Sequence, residues 1–303
     1  MNLISGMSKV FYRPICRAYA RHLGDRPADA ILRCFCRPQF WITHRYWPNF
    51  KNPRTFNEKI WHRMLYNRDS LLTLVSDKFR VRDYVVQKGG SDYLIPLLWQ
   101  GNNPEDIPFD ELPNKFVIKA NHGCGYNIIV QDKTQMDIPH IKNQLRKWLN
   151  ENFCRDKYFG ISWGYKNIIP HITIEEFIGI NGQVPIDYKF FCYSGRAEFV
   201  LMTFDRFDNA TEKHFNRNFD PLDLWNGAPQ YEGKIERPIN YEEMLKLADK
   251  LAKDLDFVRV DLYSVEEKIY FGELTFYPAG GLAPFIPKEY DYIFGEKWKT
   301  MPH

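Results

Sequence analysis

Apolar residues along this chain recur at two spacings, and the places where one gives way to the other outline the fold. Thr55 followed by Glu58 reads as a capping box that opens a helix over 56–66, because each side chain can satisfy a free amide of the first turn. A second helix is predicted over 70–88, carrying Asp77 and Lys78. Residues 94–115, with Pro96, Pro104, Pro108 and Pro113, read as loop. Phe116-Val117-Ile118-Lys119-Ala120 predicts a buried strand, and Asn127-Ile128-Ile129-Val130 its hairpin partner across a glycine-containing turn. A polar helix over 139–153 precedes strands near 172–178, 187–193 and 197–204. An irregular stretch over 207–238 leads to a helix over 241–255, opened by Asn240 and Glu243, and to a last hairpin of 257–263 and 268–276. Adjacent hairpins mixed with helices predict an α+β protein with antiparallel sheets and argue against a doubly wound parallel sheet.

The last hairpin holds the most informative chemistry. Strand side chains alternate faces, so Arg259, Asp261 and Tyr263 share one face of the first strand, and Phe271, Glu273 and Thr275 one face of the second. A hairpin symmetric about residue 267 pairs 261 with 273 and 259 with 275. Two carboxylates then stand within roughly 5 Å at their Cβ atoms, beside a guanidinium. Like charges so placed repel unless a cation or proton lies between them, and Mg²⁺, which takes hard oxygen ligands and bridges to phosphate, suits the position. An amphipathic strand showing its polar face to water is the plainer reading, but it gains nothing from opposed like charges.

Elsewhere, a lysine closes an apolar strand at Lys119 and is followed by Gly123-Cys124-Gly125. That pattern can offer amides and one ammonium to a phosphate chain, or can simply make a hairpin. Ile172-Thr173-Ile174 runs into Glu175-Glu176-Phe177-Ile178, and Asp187-Tyr188-Lys189 opens a further strand. Asp254-Leu255-Asp256 has the form of a metal-binding D-x-D, but it falls at a helix end, ahead of a strand rather than after one.

Composition narrows the class. The 303 residues are 44% hydrophobic and 26% charged, which excludes wholesale disorder. No apolar run approaches the roughly 18 residues of a membrane-spanning helix, and no secretory signal is evident, so a cytoplasmic protein is expected. Six scattered cysteines without a C-x-x-C pair read as reduced thiols and not as a zinc site. Net charge is +3, but residues 1–50 hold eight Lys/Arg against two Asp, leaving the remainder mildly acidic. Lys9, Arg13, Arg17 and Arg21 recur at helical spacing, and a helix beginning near Pro27 carries Arg33 and Arg37. This is either a solvated face or a patch for anionic lipid at the inner face of the cytoplasmic membrane, or for a pyrophosphate-linked substrate. The acidic remainder speaks against nucleic acid.

Taken in order, Arg54-Thr55-Phe56-Asn57-Glu58-Lys59, Lys78, Lys119 with Asn121-His122-Gly123, Glu175-Glu176-Phe177-Ile178, Asp187-Tyr188-Lys189-Phe190-Phe191 and Gly272-Glu273-Leu274-Thr275-Phe276-Tyr277-Pro278 resemble the ATP-grasp superfamily. The branch resembled is the teichuronopeptide-biosynthesis type found among polysaccharide-locus proteins, over about residues 50–298. The resemblance implies two antiparallel α+β lobes with ATP between them and a helical N-terminal extension. It divides the chain into a basic extension (1–50), a preceding helical region (51–112), a lid lobe (113–178) and a metal-binding lobe (179–303).

By the same resemblance, Lys78 and Lys119 hold the phosphates, and the amides around Gly123 and Gly125 close over them. Glu175, with Glu176, Phe177 and Ile178, reads the adenine, and Asp187 reaches the ribose. Asp261, Glu273 and Thr275 hold Mg²⁺, and Arg259 steadies the transferred phosphoryl group. Thr275 departs from the family pattern, which usually has asparagine there, and a longer loop precedes Asp187. Lys189, Arg206 and Arg217 are candidate clamps for an acidic substrate. The implied activity is an ATP-dependent carboxylate–amine ligase working through an acyl phosphate. Its implied substrates are a hexuronic acid of a nucleotide sugar or lipid-linked saccharide and an amino acid. A glycosyltransferase and an ATP-dependent sugar or small-molecule kinase are the alternatives.

Overall fold

A computed structural model describes residues 36–154, 161–179, 182–205 and 209–299. The expected helices bearing Lys9 through Arg33, and the candidate clamp Arg206, lie outside the described residues.

The expected capping box opens α1 (Phe56–Tyr66). The Glu58 amide donates to Thr55 Oγ1 at 3.2 Å, and the Glu58 carboxylate accepts from the amides of Thr55, Arg54 and Asn49. One side chain thus ties the preceding loop to the helix start. The next expected helix is two: α2 (Ser70–Ser76) and α3 (Val81–Gln87). Asp77 separates them. Its carboxylate accepts from the amides of Phe79 at 2.9 Å and Arg80 at 3.1 Å, offering the backbone a turn in place of the helical ladder. Lys78 sits on that corner.

Four strands form the smaller sheet: β1 (Leu97–Gly101), β2 (Phe116–Ala120), β3 (Asn127–Val130) and β4 (Ile172–Glu176). Their order is β1-β4-β2-β3, all antiparallel. β1 corrects the expectation of loop over 94–115. The prolines of that stretch all flank the strand, which lies at a sheet edge where a short segment can pair on one side only. Phe116, Ile118, Ile172 and Ile174 are fully buried beneath α4 (Ile138–Leu149), whose apolar side is Ile141, Leu145 and Trp148. A short helix, α5 (Trp163–Lys166), precedes β4.

The larger sheet has β5 (Asp187–Tyr193), β6 (Arg196–Phe204), β7 (Thr211–Asn216), β8 (Phe257–Val265) and β9 (Lys268–Thr275), in the antiparallel order β7-β6-β5-β8-β9. β7 lies in the stretch expected to be irregular. Its sequence, Thr-Glu-Lys-His-Phe-Asn, has too few apolar residues to show alternation; pairing with β6 sets it, with isolated bridges to Pro221 and Gln230 on its other edge. One sheet face buries Phe190, Cys192, Val200, Val260 and Leu262, with α6 (Tyr241–Ala252) packed on these strands. Asn240 makes no capping bond there, contrary to expectation: its side-chain amide donates to Ser264 Oγ and to the Glu267 carbonyl, both at 2.9 Å.

The opposite face is divided. At one end Phe191, Tyr193, Phe199 and Phe257 pack with Phe56, Phe294 and Trp298 from α1 and α7 (Glu289–Lys297) and its end. At the other end the same alternating positions are Asp187, Lys189, Asp261 and Glu273, and they look toward the smaller sheet. Among the described residues, no helix is long and apolar enough to cross a membrane.

Candidate active site

β8 and β9 are joined by Glu266-Glu267, both at positive φ (49° and 68°), as a two-residue hairpin turn requires. From this turn the register runs Val265–Lys268, Tyr263–Tyr270 and Leu262–Phe271. Continued unbroken it would set Asp261 against Gly272 and leave Glu273 on the other face. One extra residue, Gly272, bulges out and restores Asp261 opposite Glu273 and Arg259 opposite Thr275. The symmetric hairpin expected from the sequence therefore has the right rung but the wrong turn. Phe271 is corrected with it: the bulge places it opposite Leu262, in the core at 4% exposure, and not beside Glu273. A Cβ on Gly272 would meet the Tyr263 ring at 2.9 Å and the Asp261 carbonyl at 3.0 Å.

Arg259 spans the rung. Its Nε donates to Asp261 Oδ1 at 2.7 Å, and its Nη2 to Asp261 Oδ2 at 2.6 Å and to Glu273 Oε1 and Thr275 Oγ1 at 3.2 Å each. Lys78 Nζ donates to the other Glu273 oxygen at 3.0 Å. Burial pushes the Asp261 carboxyl up to about 6; the Arg259 charge opposes the rise and the Glu273 charge adds to it. On the far side of Asp261, Lys189 is its partner on β5. Lys189 Nζ donates to Asp187 Oδ2 at 2.7 Å and Thr203 Oγ1 at 2.8 Å. Burial lowers the Lys189 pKa, against the pull of the Asp187 and Asp261 charges.

Above this ladder, between the two sheets, lies a cleft of about 290 Å³. It is bordered by Lys78, Lys119, Gly125, Glu175, Glu176, Phe177, Ile178, Asp187 and Glu273, residues that the sequence spreads over nearly two hundred positions. Ile95, Val117, Ile129 and Val184 supply apolar walls. Lys119 is ion-paired with Glu175, whose other oxygen accepts from Arg82 Nη1 at 3.2 Å. Both Glu175 oxygens are therefore engaged, each with one cation, and each keeps a lone pair able to accept a further hydrogen bond. Arg82 carries no signal in the sequence; it reaches the site from α3 and also binds the Ile95 carbonyl at 2.9 Å.

Asn121, which the sequence offers only as part of the Asn121-His122-Gly123 phrase and without a role, is the second such residue. Its carbonyl accepts from the Lys78 amide at 3.1 Å, its Nδ2 donates to Asp77 Oδ1 at 2.9 Å, and its Oδ1 accepts from the His171 amide at 2.7 Å. The corner carrying Lys78 is thereby locked to the end of the strand carrying Lys119.

Other candidates lie elsewhere. Gly125 borders the cleft at φ +76° with nothing near its absent Cβ, whereas Gly123 is packed against the rings of Phe153 and Tyr126 and does not. Arg217 forms an ion pair with Asp249 at 2.7 Å, fastening the end of β7 to α6 away from the cleft. Asp254 pairs with Lys88, and Asp256 with the buried Arg63 and with Trp298 Nε1, so the D-x-D carboxylates serve packing.

Asp261 and Glu273 offer hard oxygen donors on one rung and Thr275 a third on the adjacent rung, which suits Mg²⁺. Among the described residues there is no cluster of three or more His, Cys, Asp or Glu side chains, so the protein supplies two carboxylates and a hydroxyl here and the rest of an ion's shell would have to come from elsewhere.

Two antiparallel sheets facing each other across a lysine-lined cleft, with Glu273 on its floor and its partner Asp261 buried beside it, are the arrangement expected of an ATP-grasp protein. The chain belongs to the TupA-like ATP-grasp family, whose model matches residues 58–299. Among solved structures it is similar to D-alanine–D-alanine ligase from Bacillus anthracis (17% identity over 74% of this chain and 66% of that one, TM-score 0.45). It is also similar to the Helicobacter pylori D-alanine–D-alanine ligase (17%, 75% and 62%, TM-score 0.41) and to phosphoribosylamine–glycine ligase from Thermotoga maritima (14%, 68% and 48%, TM-score 0.40). The chain spans about half to two thirds of the length of these structures. No curated protein matches it.

Proposed function

We propose that the protein is an ATP-dependent carboxylate–amine ligase working through an acyl phosphate. The observation that carries this reading is the meeting of Lys78, Lys119 and Glu273 at one cleft, with Asp261 opposite Glu273 and Arg259 reaching both from the adjacent rung. A carboxylate resists attack by an amine, and converting it to an acyl phosphate supplies a leaving group. In the proposed step a carboxylate oxygen attacks the γ-phosphorus and ADP leaves; the amine nitrogen then attacks the acyl carbon, phosphate departs, and the nitrogen loses a proton.

Lys78 and Lys119 hold the phosphate oxygens once their carboxylate partners release them. Arg259 moves part of its hydrogen bonding to the transferred group, where negative charge develops. Asp261 and Glu273, with Thr275, would hold Mg²⁺, which would neutralise phosphate charge when bound. The apolar walls receive the adenine, with Glu175 and the backbone of Phe177 and Ile178 at its edge and Asp187 at the ribose. The smaller sheet, carrying the Gly125 turn, keeps water from the acyl phosphate.

Lys189, paired with Asp261 across β5 and β8, is the proposed clamp for the acid. By family likeness we assign that acid to a hexuronic acid of a surface-polysaccharide precursor, and the amine to an amino acid. A reaction fed by ATP belongs in the cytoplasm.

The test offers purified protein ATP, Mg²⁺, hydroxylamine and candidate uronic acids. ADP together with a hydroxamate supports the ligase. ADP with a stable phosphoester makes the protein a kinase, and nucleoside diphosphate released from a sugar donor without ATP makes it a glycosyltransferase; either overturns the proposal.

A further inference from the structure

Residues 36–44 are helical, and exposure follows the helical turn: Cys36, Phe40 and His44 are buried, while Arg37, Trp41 and Arg45 are exposed. Spacing of four places each set on its own side. The inner set is committed to the fold, with the Phe40 ring 5.4 Å from Phe50 and 6.1 Å from Trp61. Among the described residues, Trp41 of the outer set has no such ring contact. Trp41 is 46% exposed, and Trp47, just beyond the helix, is 61% exposed.

Two further observations give this face a character. From residue 30 to 57 the sequence has five Lys/Arg and no acid, in a chain holding 38 acids in all. Arg37, Arg45, Lys51 and Arg54 of this run are exposed. The start of α7 adjoins it: Lys288 Nζ lies 4.0 Å from the Tyr46 ring centre, and the Tyr46 hydroxyl donates to Asp291 at 3.4 Å. Ile286, Tyr292 and Ile293 in that second segment are exposed as well. Among the described residues, nine large apolar side chains are exposed, and five of them belong to these two segments. Asp291 is buried on Asn57, which leaves Glu289 as the one exposed acid in either segment.

We propose that this face, centred on Arg37, Trp41, Arg45 and Trp47, docks the protein on an anionic lipid surface. Indole rings partition to the boundary between headgroups and acyl chains, where their apolar body and N–H are both accommodated. Guanidinium groups beside them meet lipid phosphates, and each base near such a surface adds about 1 kcal/mol of attraction. A solvated helix face has no use for two exposed indoles, and a neutral partner has no use for the missing acids.

The full chain is sedimented with vesicles of phosphatidylcholine alone, or of equal parts phosphatidylcholine and phosphatidylglycerol. Binding is expected to the second only, and to weaken with salt. Trp41→Ser with Trp47→Ser is expected to lose about tenfold in vesicle affinity, with the wild-type melting temperature kept because neither ring is in the core. Arg37→Gln and Arg45→Gln are each expected to lose about fivefold. Failure to bind either vesicle, equal binding to both, or wild-type affinity in the double tryptophan variant overturns the proposal. The last of these assigns lipid attachment to residues 1–35 instead.

Discussion

Asp261 and Glu273 face each other across one rung of the β8–β9 hairpin, and a single guanidinium nitrogen of Arg259 reaches both, at 2.6 Å and 3.2 Å. Lys78 and Lys119 are likewise paired, with Glu273 and Glu175. The cations that would grip a triphosphate are thus held in position by the acids that would grip its metal or its base. On the proposed reading, binding would exchange these pairs for new ones and leave no charge buried alone.

Removing one member of this set should therefore cost turnover more than stability. Glu273→Gln and Lys119→Ala are each expected to lower the rate of ADP formation at least tenfold, about 1.4 kcal/mol of barrier, while thermal unfolding moves little. Both side chains are partly exposed, at 25% and 22%, so neither leaves a cavity. Wild-type rates in both variants would remove the cleft from the reaction.

Gly272 makes the rung possible, and the register depends on it. Gly272→Val is expected to force the Tyr263 ring and the Asp261 carbonyl away from its new side chain, to separate the two carboxylates, and to abolish ADP formation with a lowered melting temperature. Normal activity in this variant would show that the bulge has no part in the site.

Asn121 should act on nucleotide binding from a distance, since it locks the Lys78 corner to the Lys119 strand. Asn121→Ala is expected to raise the KM for ATP about tenfold while changing kcat far less. Steady-state kinetics separate the two. An equal fall in kcat with KM unchanged would contradict a positioning role.

How far the sequence reveals this architecture depends on the range of the interactions involved. The capping box at Thr55 and Glu58 and the β2–β3 hairpin are local, and they stand where the sequence puts them. The break at Asp77 was hidden because the carboxylate's partners include Asn121, more than forty residues away. β1 and β7 are edge strands with little alternation of their own, and the neighbouring strand defines them. At the site, the positions of Asp261 and Glu273 were legible from alternation, but the bulge that aligns them was not, since a turn one residue shorter and one extra glycine cancel in the count. Arg82 reaches the cleft, and Arg217 fails to, through contacts that no spacing encodes.

Two buried histidines give the fold a pH dependence of known sign. Burial lowers His44 and His214 to about 4, from an ordinary value near 6.5. The unfolded chain takes up protons at these rings below about pH 6.5, and the folded chain refuses them until about pH 4. Stability from this source is complete above the higher value and is lost as the pH falls toward the lower one. Asp261, raised to about 6, acts in the opposite direction over part of this range, so the histidine share is read by difference. Between about pH 7 and pH 5 the melting temperature of His214→Gln should fall less than that of wild type. Identical slopes would exclude His214 as a contributor.

The acyl phosphate itself is tested most directly by following oxygen. A hexuronic acid labelled with heavy oxygen in its carboxylate is turned over with ATP, Mg²⁺ and an amino acid, and the released phosphate is analysed by mass. Transfer of one labelled oxygen to phosphate is the predicted result, because the carboxylate oxygen that attacks the γ-phosphorus leaves with it. Unlabelled phosphate formed alongside the amide would contradict the account.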